Sequence, residues 1–489
     1  MIHKLKRIFA FLLFLIGLIL MFAALWVCTT WGDITMESVI FVMTNPVQGT
    51  ESDIILALIF KCIIPVVILF SASIFVYIKW MRSKSKKYMR ILVLSGVLFS
   101  AIGITALWKK VDFGVYLKGI MSDSSFIEDN YADPKEVSVE FPEKKRNLIY
   151  IIMESMEVTY SSKSDGGDED ENLIPNITQM MKDNYSFSGR DGKLQGASSM
   201  YGTGWTMGGT FAESSGLPLI IPIRNNSMDM QESFFPNTRT LGDILKDNGY
   251  RNIYLIGSDV EFGGRKLYYT THGDYEIEDY NFAKKNGRIP DDYMVFWGYE
   301  DEKLFAFSKK LISDIAAKGA PFAATLYTVD THGLEGGYRC PLCDPAIEND
   351  FAAAVRCTSR KIDDFIGWLR QQDFYEDTVV IMVGDHPVEG NRNNKVVNLE
   401  ENGYVRTTYN CIINTDTVPV NEKNRVFTAM DMLPTTLAAL GVEIDGGRLG
   451  LGTDLFSDVP TVCEIMGTEA FLKEIKRHSK YYKTMTSFD

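Results

Sequence analysis

Four side chains able to bind a metal or move a proton, Glu154, His332, Asp385 and His386, follow closely on apolar runs. Glu154 comes directly after N-L-I-Y-I-I-M (147–153). A-A-T-L-Y-T-V (323–329) leads into Asp330 and His332, and T-V-V-I-M-V-G (378–384) leads into Asp385 and His386. Carboxylates and imidazoles are donors for a divalent cation, and histidine also serves as a general acid or base. Taken singly, each has a plainer reading: Glu154 as a loop carboxylate, Asp385 as a helix cap, His332 as a satisfied turn residue. Their recurrence at run ends, in a chain with 5 histidines, favours one shared site. A second feature is the glycine-rich stretch Y-G-T-G-W-T-M-G-G-T-F-A-E-S-S-G-L-P-L (201–219). Such turns let a backbone approach closely and lead into helix starts, where free N–H groups favour an anion. A hydroxyl there, beside a metal, can lose its proton and attack phosphorus. Thr206 is the candidate, and the plainer reading makes it a helix cap.

Those residues need elements to hold them. The runs are apolar throughout rather than alternating, which suits strands buried on both faces of a parallel sheet. N-I-Y-L-I-G (252–257) is a further short run, and helical patterns lie between at Thr238–Asn248, Lys303–Lys318 and Ala352–Gln372. Strand–helix alternation predicts an α/β domain with a wound sheet, whose ligands collect at the carboxyl ends of the strands. The acidic run Asp165–Glu171 reads as a solvated loop, with a calcium site as the sharper alternative.

The chain has 489 residues, 46% of them hydrophobic and 23% charged, which excludes wholesale disorder. Its charge is divided. Residues 1–110 hold 12 Lys/Arg and 4 Asp/Glu, a net of +8, and the other 379 residues carry a net of −21. An acidic domain without a basic stripe is a poor nucleic-acid binder. Three apolar stretches in the basic part, about 8–28, 54–78 and 91–108, are long enough to span a bilayer. The first exceeds the apolar length of a cleaved signal and lacks a small-x-small site after it. Lys4, Lys6 and Arg7 precede it, and Lys79, Arg82, Lys84, Lys86, Lys87 and Arg90 separate the second from the third. The loop between the first two carries Asp33, Glu37, Glu51 and Asp53 and no Lys or Arg. Basic loops stay in the cytoplasm, so everything after Trp108 is expected outside. Lys61 would cost ~2.5–3.5 kcal/mol at mid-bilayer, and its place near the outer end of its helix predicts snorkelling. The expected organisation is an anchor over 1–110, a polar linker over 111–145, a catalytic domain over 146–460 and a tail over 461–489.

Together these segments resemble the alkaline phosphatase/sulfatase superfamily. More narrowly they resemble its membrane-anchored phosphoglycerol transferases, the group of phosphoglycerol transferase I and lipoteichoic acid synthase. The matching stretches are N-L-I-Y-I-I-M-E-S-M-E (147–157), G-T-G-W-T-M-G-G-T (202–210), S-G-L-P-L (215–219), F-G-G-R (262–265) and T-H-G-D-Y (271–275). They continue with W-G-Y-E-D-E-K-L-F (297–305), P-F-A-A-T-L-Y-T-V-D-T-H (321–332), A-V-R-C (354–357) and V-G-D-H-P (383–387). The likeness covers roughly residues 145–400. It implies an alkaline phosphatase-like wound, mostly parallel sheet flanked by helices, preceded by a transmembrane helical anchor. It implies that Glu154, Thr206, Asp385 and His386 ligate one divalent cation, commonly manganese, with magnesium or zinc also suited to the donors. Thr206 would be the nucleophile, Arg265 and His332 would contact the phosphoglycerol head group, and Phe262 would line the site. Arg265 is expected to fork onto a phosphate, and His332 to protonate the leaving group. The implied reaction moves phosphoglycerol from phosphatidylglycerol, through a phosphoglyceryl-threonine, to a glycan or polyglycerol-phosphate acceptor at the cell membrane. Ser215 stands where the group tends to have cysteine, and P-V-E-G-N-R-N-N (387–394) is only partly familiar, which leaves the acceptor open.

Two other readings compete. A phosphoethanolamine transferase shares the threonine chemistry and the anchor, and a non-catalytic binding or sensing module could keep the fold. A true sulfatase is disfavoured, because C-T-S-R (357–360) lacks the proline of the C/S-x-P-x-R setting. A dizinc phosphatase needs more histidines. The resemblance further implies that Cys357 pairs with Cys340, or with Cys343, leaving Cys411 and Cys463 as buried thiols. Trp297 and Asp301 read as structural, packing and capping a helix. Lys473, Lys476, Arg477, Lys480 and Lys483 in the tail read as a solvated helix face, with contact to anionic lipid as a possible extra role.

Overall fold

The computed structural model describes residues 2–30, 36, 39, 56–81, 83, 85–188, 192–220, 233–332, 336–388 and 404–486. Asp33, Glu37, Glu51, Asp53, Arg82 and Lys84 of the expected loops, and most of the stretch after Pro387, lie outside them. Two compact units result, one up to Lys118 and one from Gly119 onward. The first holds α1 (Ile2–Thr30), α2 (Ile64–Val76) and α3 (Ser85–Lys110). The helical stretches Leu5–Thr30, Leu56–Met81 and Lys86–Lys110 are long and apolar enough to cross a membrane. Pro65 sits in the first turn of α2, just past a π-helical turn at Ile59–Ile63. There its missing N–H breaks little of the ladder. Backbones of α1 and α3 touch. A Cβ on Gly17 would lie 2.4 Å from Gly96 O, and one on Gly103 2.5 Å from Leu20 O. Small residues of this kind let apolar helices pair without a hydrophobic driving force. Lys61 Nζ donates to Thr29 O (3.4 Å), at the end of α1.

Residues 111–145 form more structure than the word linker implies. Helix α4 (Phe113–Met121) opens them. Further on, Ala132 N donates to Gly450 O (2.8 Å), and Val139 pairs antiparallel with Ile444. The tail also packs: Phe471 and Ile475 are buried, and Tyr482 Oη donates to Pro218 O (2.6 Å). Its polar face keeps Lys473, Lys480 and Lys483 exposed, while Arg477 pairs with Glu474 (2.8 Å).

The second unit is built on six strands: β1 (Asn147–Met153), β2 (Arg251–Ile256), β3 (Glu276–Glu278), β4 (Phe322–Tyr327), β5 (Thr378–Gly384) and β6 (Asn410–Ile413). Their order is β3-β2-β4-β1-β5-β6, parallel except for β6. The four apolar runs are the four inner strands. The two edge strands were not foreseen, because E-I-E and N-C-I-I are short and half polar. The helices used below are α5 (Pro175–Asp183), α6 (Thr206–Ser215), α7 (Leu241–Asp247), α8 (Arg265–Thr271), α9 (Asp301–Ala316), α10 (Asp350–Leu369) and α11 (Met432–Ala439).

Ile149, Ile151 and Met153 of β1 join Ile177 of α5, Ile312 of α9 and Phe365 of α10 in one core. Alternate residues Leu148, Tyr150 and Ile152 face the other way. Each buried isoleucine contributes ~1.5–3 kcal/mol, so β1 is held firmly in register from both sides. On the second face α6 packs with α7 and α11. The four parallel central strands end within one residue of each other in register, and their carboxyl ends therefore form one edge.

Candidate active site

Three loops at that edge are tied together before any side chain reaches the site. Glu154 N donates to Thr328 Oγ1 (3.1 Å), and Thr331 Oγ1 donates to Glu154 O (2.6 Å). Ser155, at φ 51°, turns its N–H back onto Asp385 Oδ1 (2.8 Å). Strand order thus becomes side-chain proximity: donor atoms of Glu154, Asp385 and His386 all lie within 4.8 Å of one another. Nε2 of His386 is 3.3 Å from Glu154 Oε1 and 3.3 Å from Asp385 Oδ2.

The helix that follows the glycine-rich turn brings Thr206. It occupies the first position of α6, and Trp205 is the cap residue. The Thr206 hydroxyl makes no capping bond; its Oγ1 lies 3.4 Å from Glu154 Oε2 and 3.5 Å from His386 Nε2. The plainer reading of Thr206 as a cap is therefore set aside. Close approach needs glycine one turn on, since a Cβ on Gly209 would lie 2.1 Å from Asp385 O.

Outer partners fix each group. His386 Nδ1 donates to Pro387 O (2.8 Å), which turns Nε2 toward the carboxylates. Tyr327 Oη donates to Asp385 Oδ2, and His386 N donates to Asp385 Oδ1 (2.8 Å). Ser155 Oγ donates to Glu154 Oε1 (2.8 Å). Burial and then the charge of Glu154 push the Asp385 carboxyl up to about 7. Glu154 is also driven upward by burial, but the bond from His386 and the charges of His332 and His386 outweigh it and bring it down to about 2. Two buried carboxylates this close thus retain a proton near neutrality unless a cation takes its place. Two carboxylates, one imidazole nitrogen of fixed tautomer and a hydroxyl could hold a hard or borderline divalent ion.

Arg265 and His332 stand beside this cluster. His332 is half-buried; burial lowers its pKa, the charge of Glu154 raises it, and His386 and Arg265 lower it further. Its ring lies 4.7 Å from that of Trp297, which in turn lies 5.3 Å from Phe262. Trp297, read from sequence as packing, thus joins Phe262 and His332 in an aromatic wall. The Arg265 guanidinium is buried, 5.6 Å from the Phe262 ring. Its Nε donates to Phe262 O (3.0 Å) and one Nη to Asp259 O (2.8 Å). The side-on edge of the fork is occupied by the chain's own carbonyls, which leaves the end of the guanidinium for a ligand.

Asp301 also differs from expectation. Glu300 is the cap residue of α9, and the Asp301 carboxylate accepts from Val329 N (2.7 Å) and Asp330 N (3.3 Å). Lys361 Nζ of α10 donates to Asp330 Oδ2 (2.7 Å). The buried trio grips the loop that carries His332. One further buried acid went unnoticed: Glu213, two turns along α6 from Thr206, is raised well above the ordinary carboxylate range by burial and by Asp385. An acid on a helix reads as exposed, so no local signal marked it.

The sulfatase family model matches residues 146–442. Phosphoglycerol transferase I of Xanthomonas axonopodis pv. citri (strain 306) is 27% identical over 353 residues, 70% of this chain and 47% of that protein. The protein of the same name from Escherichia coli O157:H7 (strain EC4115 / EHEC) is 29% identical over 367 residues, 72% of this chain and 45% of that protein. This chain therefore spans less than half the length of those relatives. An alkaline phosphatase superfamily protein from Vibrio parahaemolyticus superposes with TM-score 0.50 at 19% identity, covering 68% of this chain and 76% of that one. The lipoteichoic acid synthase LtaP from Listeria monocytogenes gives TM-score 0.50 at 16% identity, covering 68% and 81%. The fold is that of the alkaline phosphatase superfamily, and with well over half of its length matched, the chain belongs to the sulfatase family.

Proposed function

We propose that the chain is a membrane-anchored phosphoglycerol transferase that works through Thr206. The observation that carries this reading is the Thr206 hydroxyl at a helix start, not engaged as a cap and 3.4 Å from Glu154 Oε2. Glu154, Thr206, Asp385 and His386 would hold one divalent cation, manganese in the family's habit, with magnesium or zinc as alternatives. Once bound, the cation would lower the proton affinity of the hydroxyl and offset charge on the phosphoryl oxygens.

Thr206 Oγ1, its proton given up to solvent beforehand, attacks the phosphorus of phosphatidylglycerol as an alkoxide, and the bond from phosphorus to the diacylglycerol oxygen breaks. His332 gives a proton to the departing oxygen. Its lowered pKa makes the protonated ring, the form that enters this step, the stronger acid. A hydroxyl of a glycan or polyglycerol-phosphate acceptor then yields its proton to His332 and attacks the phosphoglyceryl-threonine, which frees Thr206. The end of the Arg265 guanidinium meets the phosphoryl group, and Phe262 and Trp297 pack against the glycerol. The three apolar N-terminal helices support a multi-pass anchor in the cell membrane, and the basic flanks support an extracytoplasmic site.

The test uses full-length protein in vesicles with phosphatidylglycerol labelled in its head-group glycerol. Release of diacylglycerol and a labelled Thr206 peptide are expected from the native protein, and neither from Thr206→Ala. Unchanged release by Thr206→Ala would defeat the Thr206 mechanism, and no release from the native protein would leave the binding module. Release only from phosphatidylethanolamine would reassign the chain as a phosphoethanolamine transferase.

A further inference from the structure

The turn C-P-L-C (340–343) lies a few residues beyond His332, and Cys357 lies in the third turn of α10. The fold brings their sulfurs together. Cys340 Sγ is 3.6 Å from Cys343 Sγ and 3.5 Å from Cys357 Sγ, and all three lie within 4.8 Å of one another. Each of the three residues is more than nine-tenths buried. The expected disulfide is not formed, since all are free thiols. A disulfide brings two sulfurs to ~2.05 Å and leaves a third without purpose. Sulfurs about 2.3 Å from a common tetrahedral ion stand ~3.8 Å apart, close to the observed spacing.

Backbone geometry supplies the rest of a site. Cys343 N donates to Cys340 O (3.0 Å), the tight turn that aims two side chains at one point. An Arg360 Nη lies 3.6 Å from Cys357 Sγ and 2.7 Å from Leu342 O. Three thiolates with a divalent ion carry a net charge of −1, and this guanidinium sits where that charge would fall. We propose that Cys340, Cys343 and Cys357 form a second metal site, selective for a soft d10 cation of the zinc class. Its donors are sulfur where the first cluster offers oxygen and imidazole, so the two sites sort ions by chemistry. The site fastens the turn after His332 to α10, whose Lys361 already grips Asp330.

The probe is cobalt(II) added to purified full-length protein in detergent under reducing conditions. Thiolate ligation gives a near-ultraviolet charge-transfer band that oxygen and imidazole do not. The band is expected in the native protein and in Asp385→Asn, lost in Cys343→Ser and Cys357→Ser, and abolished by one equivalent of zinc. A band that survives both cysteine variants, or no band in the native protein, overturns the proposal. So does a disulfide among the three found by mass spectrometry of unreduced protein. Should the variants misfold, the native protein decides alone: a mercurial thiol reagent is expected to release one zinc per chain. No release refutes the site.

Discussion

Among the described residues, two clusters of ligating side chains lie in the second unit, and they are assembled in different ways. Glu154, Thr206 and the pair Asp385–His386 come from three separate places in the chain and meet only because β1 and β5 end, and α6 starts, at one edge. Cys340, Cys343 and Cys357 come from one turn and one helix within 18 residues. The first cluster inherits its geometry from the whole sheet, the second from a local bend. The contrast teaches where precision is held: the oxygen site depends on residues that touch no ligand, whereas the sulfur site is largely self-contained.

The sharpest way to break the comparison is Asp385→Asn. It is expected to lower transfer activity at least about a thousandfold, as loss of a unit in concerted machinery does, while far-ultraviolet circular dichroism stays native. Activity within tenfold of native would mean that the oxygen cluster is not the reaction centre. Next comes Tyr327→Phe, which removes the hydroxyl that donates to Asp385 Oδ2. Divalent-ion affinity should fall ~10–100-fold, with activity recovered at high manganese; an unchanged affinity would make this outer partner idle. Gly209→Ala follows. Its Cβ would meet Asp385 O at 2.1 Å, so α6 must shift, at a cost of ~1–3 kcal/mol seen in chemical denaturation. A neutral result would show that α6 can move without disturbing the edge.

The last effect, seen only as a change of slope with pH, concerns Glu213. Its folded pKa lies above its unfolded one, so the folded state binds the extra proton. Stability from this group is full below the unfolded carboxylate pKa and declines as pH rises toward the folded value. The slope is about 1.4 kcal/mol per pH unit. Glu213→Gln should flatten the fall of melting temperature as pH rises above the ordinary carboxylate range. An identical slope in both proteins would show that Glu213 is ionised in the fold.

Much of this architecture could be read in the residues, and the gaps have physical causes. Ile149, Leu326 and Val380 are flanked by apolar neighbours because their strands are covered on both faces, which is why the inner four strands announced themselves. Glu276–Glu278 is an edge strand with polar ends and no such signature. Glu154, Asp385 and His386 were found because strand ends are marked by the sudden polar residue. Trp297 was read as packing because an aromatic in an apolar context looks the same whether its far side meets a ligand or a neighbour. Arg265's two carbonyl partners belong to the backbone, whose positions no residue type reveals.

That tethering of Arg265 reaches beyond the turn it stabilises. Gly263 and Gly264 at φ 70° and 76° fold the backbone under the guanidinium, so its freedom is surrendered while the chain folds. A loose arginine would forfeit ~2 kcal/mol of rotamer entropy on meeting an anion; this one has almost none left to forfeit. A cation fixed in space rewards only those visitors whose negative charge falls at one spot, so reach is exchanged for discrimination.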